Sequence, residues 1–193
     1  MHRSEIINHL VRRRGYVRYL EIGTALNETF PYISAHSRVG VDPDPRTSAT
    51  FHLTSDEFFS KVAPHCAPFD IVFIDGSHER SQVLRDVENS MRFLNPFGSI
   101  VMHDCNPQSF QESSLMYLGT AWEAVVQLRA KFWQRGMDWK LNVVDTDCGC
   151  GVLTRGKPDA MPLLPEELRF EDFNSNRNEL IGLISVNDFV ENY

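Results

Sequence analysis

The run FDIVFIDG, from Phe69 to Gly76, limits the possible folds of this chain more than any other segment. It is nearly all apolar, without the polar residue at every second position that a half-exposed strand carries, so it reads as a central parallel strand covered on both faces. Parallel strands need crossover connections, usually helical, and the chain must therefore be of the α/β class. The run ends in an acid and a glycine. Asp75 then stands at the carboxyl edge of the sheet, where open parallel sheets bind their ligands.

The rest of the sequence supplies the alternation that this requires. Short apolar runs predict strands at Val17–Ile22, Arg38–Val41, a weak one at Thr50–Leu53, then Asp70–Ile74, Ser99–Met102, Leu141–Val144 and Gly151–Thr154. Helices are expected at Glu5–Arg13, Glu28–His36, Asp56–Val62, Glu79–Leu94 and Ala121–Gln134. In the fourth, Val83, Leu84, Val87, Met91 and Leu94 share one face while Glu79, Arg85, Asp86 and Arg92 lie towards the other. It stops at the turn signal Asn95-Pro96-Phe97-Gly98. No internal repeat interrupts the pattern, and 193 residues suit one domain.

Charge narrows the choice of partners. A formal net charge of −7 repels phosphate backbones and anionic lipid, which argues against nucleic acid or a membrane surface as partner. The one basic cluster, Arg12 to Arg14, ends the first helix, where cations meet the helix dipole favourably. No apolar run approaches the ~20 residues needed to cross a bilayer, and MHRSEIINHLVRRRG is too polar for a signal segment, so a cytoplasmic location is expected. The cysteines Cys66, Cys105, Cys148 and Cys150 are scattered apart from one C-x-C, so free thiols are expected rather than bridges or a zinc site.

The strand ends carry the chemistry. Glu21 and Gly23 close the first strand and Asp42 the second, 21 residues after Glu21. A glycine there lets the backbone approach a ligand, and an acid after strand two can accept both ribose hydroxyls of a nucleoside. EIGTALNETF holds one glycine where a dinucleotide fingerprint wants three, so the pyrophosphate cradle is missing. An acid such as Glu21 instead suits the ammonium of S-adenosylmethionine. Ser55 is a capping residue for the third helix and Asp56 lies in its first turn, beside the expected adenine position. Asp75 and His78 follow strand four, and His103 and Asp104 follow strand five, which gathers two carboxylates and two imidazoles on one edge. Histidine can take a proton from an acceptor at neutral pH.

YLEIG, VGVDPD, TSDEFF, FDIVFIDGSHERSQVLRD and GSIVMHDCNP, with the later GTAWEAVVQLRA, VVDTDCGCGVLTRG and NRNELIGLISVNDF, resemble class I S-adenosylmethionine-dependent methyltransferases. The similarity is to the small bacterial group related to macrocin O-methyltransferase and cephalosporin hydroxylase, and it spans nearly the whole chain. It implies a Rossmann-like three-layer sandwich whose seven-stranded sheet is mostly parallel, with the last strand antiparallel. The cofactor-binding set implied is Glu21, Gly23, Thr24, Asp42, Ser55, Asp56 and Asp75. Relatives hold Mg²⁺ with acids at the positions of Asp75 and Asp104, but here His103 stands where macrocin-like enzymes carry a second acid. Cys105 stands where catechol-type enzymes carry an amide, and neither replacement is a favoured ligand of that hard ion.

The expectation is therefore a methyltransferase acting on a hydroxyl of a small acceptor, a sugar or natural product. His103 or His78 would be the base, with Asp75 and Asp104 orienting the acceptor or binding a divalent ion. Residues 105–118 would form a substrate lid, and the tail 157–193 would pack on the domain or on a partner subunit of a homo-oligomer. A nicotinamide-dependent oxidoreductase, a non-catalytic adenosyl-binding module and a metal-dependent hydrolase are the alternatives on the same fold.

Overall fold

The computed structural model describes residues 1–193 except Leu163 and Glu166. Its seven strands are β1 (Arg18–Ile22), β2 (Ser37–Val41), β3 (Phe69–Ile74), β4 (Leu94–Met102), β5 (Lys140–Val144), β6 (Cys150–Thr154) and β7 (Leu183–Ile184), in the order β2-β1-β3-β4-β6-β5-β7. Only β6 runs against its neighbours, pairing antiparallel with β4 and β5. The helices are α1 (Arg3–Arg14), α2 (Ser55–Lys61), α3 (Ala63–Cys66), α4 (Arg80–Phe93), α5 (Ala121–Gln134), α6 (Phe170–Ser175), α7 (Arg177–Ile181) and α8 (Val186–Asn192). Among the described residues, no helix is long and apolar enough to cross a membrane.

Strand periodicity divides the core into two layers. Leu20, Ile22, Val72, Ile74, Ile100 and Met102 point to one face, under α2, α4 and α5. Tyr19, Ile71, Phe73 and Val101 point to the other, where Ile6, Ile7 and Leu10 of α1 meet Phe189 and Tyr193 near the end of the chain. All six residues of β3 are buried, as the opening run requires. The tail packs back on the same body: Phe173, Leu180 and Ile181 join the first layer.

Four expectations need correction. Thr50–Leu53 does not form a strand; only Phe51 bridges to Val41, and the seventh strand is Leu183–Ile184, parallel to β5. The strand expected last and antiparallel, Gly151–Thr154, is β6 and does run antiparallel, with the two-residue β7 following it. Glu28–His36 is reduced to one 3-10 turn at Phe30–Tyr32, because Pro31 lacks an N–H and the Arg38 guanidinium donates to the carbonyls of Phe30, Pro31 and Ile33 that a helix would need. The Asn95–Gly98 turn lies inside β4 as a bulge, with pairing jumping from Phe69↔Leu94 to Ile71↔Ser99. The cap of α2 is Thr54, whose hydroxyl accepts from Glu57 N–H at 3.2 Å while the Glu57 carboxylate accepts from Thr54 N–H. Ser55 is the first helical residue, and its hydroxyl is free for other work.

Candidate functional site

Three strand ends are locked side by side at the carboxyl edge. Gly23 N–H donates to Val41 O at 2.8 Å, Asp75 N–H to Ile22 O at 2.8 Å and His103 N–H to Ile74 O at 3.1 Å. The approach is close enough to need glycine: Gly23 has φ +88°, and a Cβ there would sit 2.2 Å from the Asp75 carbonyl oxygen.

Beside this junction lies a cleft of about 490 Å³ lined by Gly23, Asp42, Ser55, Asp56, Gly76 and Asp86, among others. Asp42 is fixed at its mouth by N–H donors from Ala25 at 2.8 Å and Asp44 at 2.9 Å. On the cleft wall, Gln82 Nε2 donates to Ser55 Oγ at 3.1 Å and to Asp86 Oδ1 at 3.0 Å. Asp86 Oδ2 is buried without a partner, and burial pushes this carboxyl up to about 6. Glu21 and Thr24 line a smaller recess of about 140 Å³ on the other side of Gly23. The Thr24 hydroxyl is also buried and unpartnered. Glu21 is 1% exposed; burial pushes its carboxyl up to about 8, although the Tyr19 hydroxyl donates to it. Orphaned polar groups and a buried acid without an ion-pair partner, on either side of one glycine, fit a nucleoside with a cationic amino-acid end. Every residue of the expected cofactor set except Glu21 and Thr24 lines the larger cleft, and those two line the recess.

The second cavity, about 850 Å³, opens on the opposite side of Asp75 and shares Ala25, Asp75 and Gly76 with the cleft. His78, His103 and Asp104 line it, as do Asn106, Gln108, Glu112, Tyr117 and Leu118 of the segment expected to be the lid. His78 donates through Nδ1 to Tyr117 O at 3.0 Å, which leaves Nε2 facing Asp104 Oδ2 at 3.1 Å and Asp75 Oδ1 at 3.7 Å. Hydrogen bonding to Asp75 raises this imidazole to about 8 against the cost of burial, helped by the Tyr117 carbonyl and then by the charge of Asp104. His103 lies deeper, its Nδ1 2.9 Å from Asp104 Oδ1 and 3.4 Å from Asp75 Oδ1, its Nε2 3.5 Å from Asp147 Oδ1. Burial opposes its charge, but Asp104, Asp147 and Asp75 outweigh that and push it up to about 11. Burial likewise opposes ionisation of Asp75, yet His103, His78 and Arg3 hold its carboxyl well below the usual range.

Two of these residues escaped the sequence reading. Arg3, the first residue of α1, places Nη1 2.9 Å from Asp75 Oδ2 and Nε 3.3 Å from Asp147 Oδ2. Asp147, on the β5–β6 turn, also accepts from Arg3 N–H at 2.6 Å, the first N–H of α1, while His2 caps the helix. The backbone at Asp104, Asp147 and Cys148 has positive φ of 59°, 47° and 60°, a conformation side chains rarely adopt and one that clusters at functional sites. The available signal was electrostatic: a cation in the first turn opposes the helix dipole and needs a nearby anion.

The donor set does not suit Mg²⁺. Asp75 Oδ1, Asp104 Oδ2 and His78 Nε2 lie within 4.8 Å of one another, but only two of the three are oxygens. Their other oxygens are taken by Arg3 and His103. Cys105 donates its thiol to the carbonyls of Met102 and His103, and Asn106 is held between Asp145 and Arg177.

Residues 10–105 match the model of a methyltransferase domain family. No curated protein sequence matches the chain. Similar solved structures include the O-methyltransferase of Bacillus cereus in complex with SAH, 13% identical with TM-score 0.61 over 80% of each chain. TomG of Streptomyces achromogenes, an O-methyltransferase involved in tomaymycin synthesis and solved with SAM, is 14% identical with TM-score 0.57 over 79% of each chain. MycE of the mycinamycin pathway, solved with Mg, SAH and mycinamycin VI, is 18% identical with TM-score 0.55; the match covers 88% of this chain and 53% of MycE. Fold and family model point the same way: residues 10–105, just under half of the chain, match a methyltransferase domain family, and the sheet has the Rossmann-like fold of the solved O-methyltransferases. The family match ends at Cys105, so it takes in β1 to β4 with Glu21, Asp42, Asp75, His103 and Asp104, and leaves out Arg3 and the part of the larger cavity's wall that runs from Asn106 to Gly149.

Proposed function

We propose that the chain transfers the methyl group of S-adenosylmethionine to a hydroxyl oxygen of a small, uncharged or cationic acceptor. The observation that carries this reading is the meeting of the two cavities at Ala25, Asp75 and Gly76. The nucleoside cleft and the larger space open onto one point, as an in-line displacement requires. Bound S-adenosylmethionine supplies an electrophilic methyl on a sulfonium.

Asp42 would accept the ribose hydroxyls, Ser55 and Asp56 would flank the base, and Glu21 would take the ammonium. The acceptor oxygen attacks the methyl carbon, the carbon–sulfur bond breaks with its electron pair going to sulfur, and the hydroxyl proton passes to a base. Of the two histidines offered for that role, His78 fits better. It lines the cavity partly exposed and reaches about 8, so its neutral form is populated near physiological pH. His103 is held as an imidazolium by three carboxylates and is better suited to stabilise negative charge developing on the acceptor oxygen. Asp75 and Asp104 orient both rings.

Five acids, Asp75, Asp104, Glu112, Asp145 and Asp147, line the larger cavity with one permanent cation, Arg3. Anionic acceptors such as phosphate esters or coenzyme A thioesters are disfavoured there, and a sugar or natural-product hydroxyl is favoured. Asn106 to Leu118 would close over it, and exposed Phe110, Leu115 and Met116 on that segment give an apolar surface for an acceptor scaffold.

Calorimetric titration with S-adenosylmethionine, S-adenosylhomocysteine and NAD tests the cofactor assignment, and methyl transfer to a panel of hydroxylated metabolites tests the reaction. Binding of the two adenosyl ligands, lost in Asp42→Ala, is expected. NAD binding with neither adenosyl ligand bound would sink the reading.

A further inference from the structure

Resting on that reading, we propose that Arg3 supplies within this site the positive charge that a divalent ion would bring, so that the transfer is metal-independent. Three carboxylates converge here, those of Asp75, Asp104 and Asp147, each at least four-fifths buried as a side chain. Unpaired, such a group would be costly and would recruit a cation.

The chain provides the cation itself. The guanidinium bridges Asp75 at 2.9 Å and Asp147 at 3.3 Å, with its own side chain only 16% exposed. It is permanently charged and cannot be titrated away. His103 fills the remaining space, 2.9 Å from Asp104 and 3.4 Å from Asp75. Its ring stands 3.3 Å from Arg3 Nη1, which leaves no room for an ion between them.

Backbone geometry holds the arrangement in place. Asp147 accepts from Arg3 N–H, the first N–H of α1, at 2.6 Å, and the buried stripe Ile6, Ile7, Leu10 and Val11 fixes that helix to the sheet. A helix N-terminus is the least favourable place for a cation on electrostatic grounds, so its presence there is compensated by the acids it meets. One consequence concerns the acceptor. With no ion to chelate, it needs only one hydroxyl and no vicinal oxygen.

The test uses Mn²⁺ alone, as a paramagnetic stand-in for Mg²⁺, on purified wild type, Arg3→Met and Arg3→Gln, with folding checked by circular dichroism. Binding is read by electron paramagnetic resonance and by the shift in Tm. Wild type is expected to show no stoichiometric Mn²⁺ binding at millimolar concentration, and removal of the charge is expected to tighten binding at least about tenfold. Arg3→Gln keeps a donor for Asp75 without the charge and serves if Arg3→Met does not fold. Stoichiometric binding by wild type overturns the inference, and so does a folded variant that binds no more tightly. S-adenosylhomocysteine titrated in parallel reports on the methyltransferase reading separately; retained nucleoside binding with a failed Mn²⁺ result removes the Arg3 inference alone.

Discussion

At the scale of single residues, the two imidazoles on the carboxyl edge have different roles because their surroundings differ. His78 has one nitrogen committed to a carbonyl and the other turned to the cavity, whereas both nitrogens of His103 face carboxylates. His78→Ala is expected to keep S-adenosylhomocysteine binding and lose turnover by about 10²–10⁴-fold, the usual contribution of a positioned base. In the wild type, kcat/KM should climb with pH, pass its half-maximum at about 8 and level off above it, because the base is mostly protonated, and idle, below that value. A flat profile through pH 7–9 would remove the role. Gly23 is a second decisive position. Gly23→Ala places a methyl 2.2 Å from a backbone oxygen at φ +88°, so a fall in Tm together with loss of nucleoside binding is expected. A variant that melts and binds like wild type would contradict that close approach.

At the scale of elements, α2 ties stability to the cleft. Thr54 caps the helix, and Thr54→Ala should cost about 1 kcal/mol by chemical denaturation. Ser55 instead contacts the Gln82–Asp86 pair, so Ser55→Ala should weaken adenosyl binding with little effect on stability; the reverse pattern would return the capping role to Ser55. This element also illustrates what the sequence can convey. A Thr-Ser pair before DEFF announces a helix start, but which hydroxyl caps it depends on Glu57 turning back to Thr54. Strand β3 was fully legible, since six consecutive buried residues admit few alternatives. The expected helix at Glu28–His36 was not, because the group that takes its carbonyls, Arg38, lies beyond it in a strand. Leu183–Ile184 is two residues long and is set by its neighbour β5 rather than by any pattern of its own. The same holds for the site. Residues that end strands could be placed by counting, while Arg3 and Asp147 meet across 144 positions and only tertiary structure brings them together.

At the scale of the whole molecule, the titrations in both cavities that fall above about pH 5 act in one direction. Burial raises Glu21 to about 8 and Asp86 to about 6, so each acid binds its proton more tightly folded than unfolded. Stability therefore falls as pH rises from the ordinary carboxylate range through those values. His78, raised by Asp75 and Asp104, contributes stability that is complete below its ordinary value of 6.5 and is lost as pH passes about 8. Asp75 and Asp147 have the opposite sense, but they are depressed, and their contribution disappears only in acid. The ligand-free protein should accordingly lose Tm steadily between pH 6 and about 8.5, by an amount that Glu21→Gln reduces. The proposed ammonium partner reverses the Glu21 contribution. With a cation against it, the carboxylate is favoured, so S-adenosylmethionine should bind with release of a proton near pH 7 and stabilise more at pH 8 than at pH 6. Calorimetry in two buffers of different ionisation enthalpy measures that proton directly. Proton uptake, or release that persists unchanged in Glu21→Gln, would place the ammonium elsewhere and leave the buried acid with a structural role only.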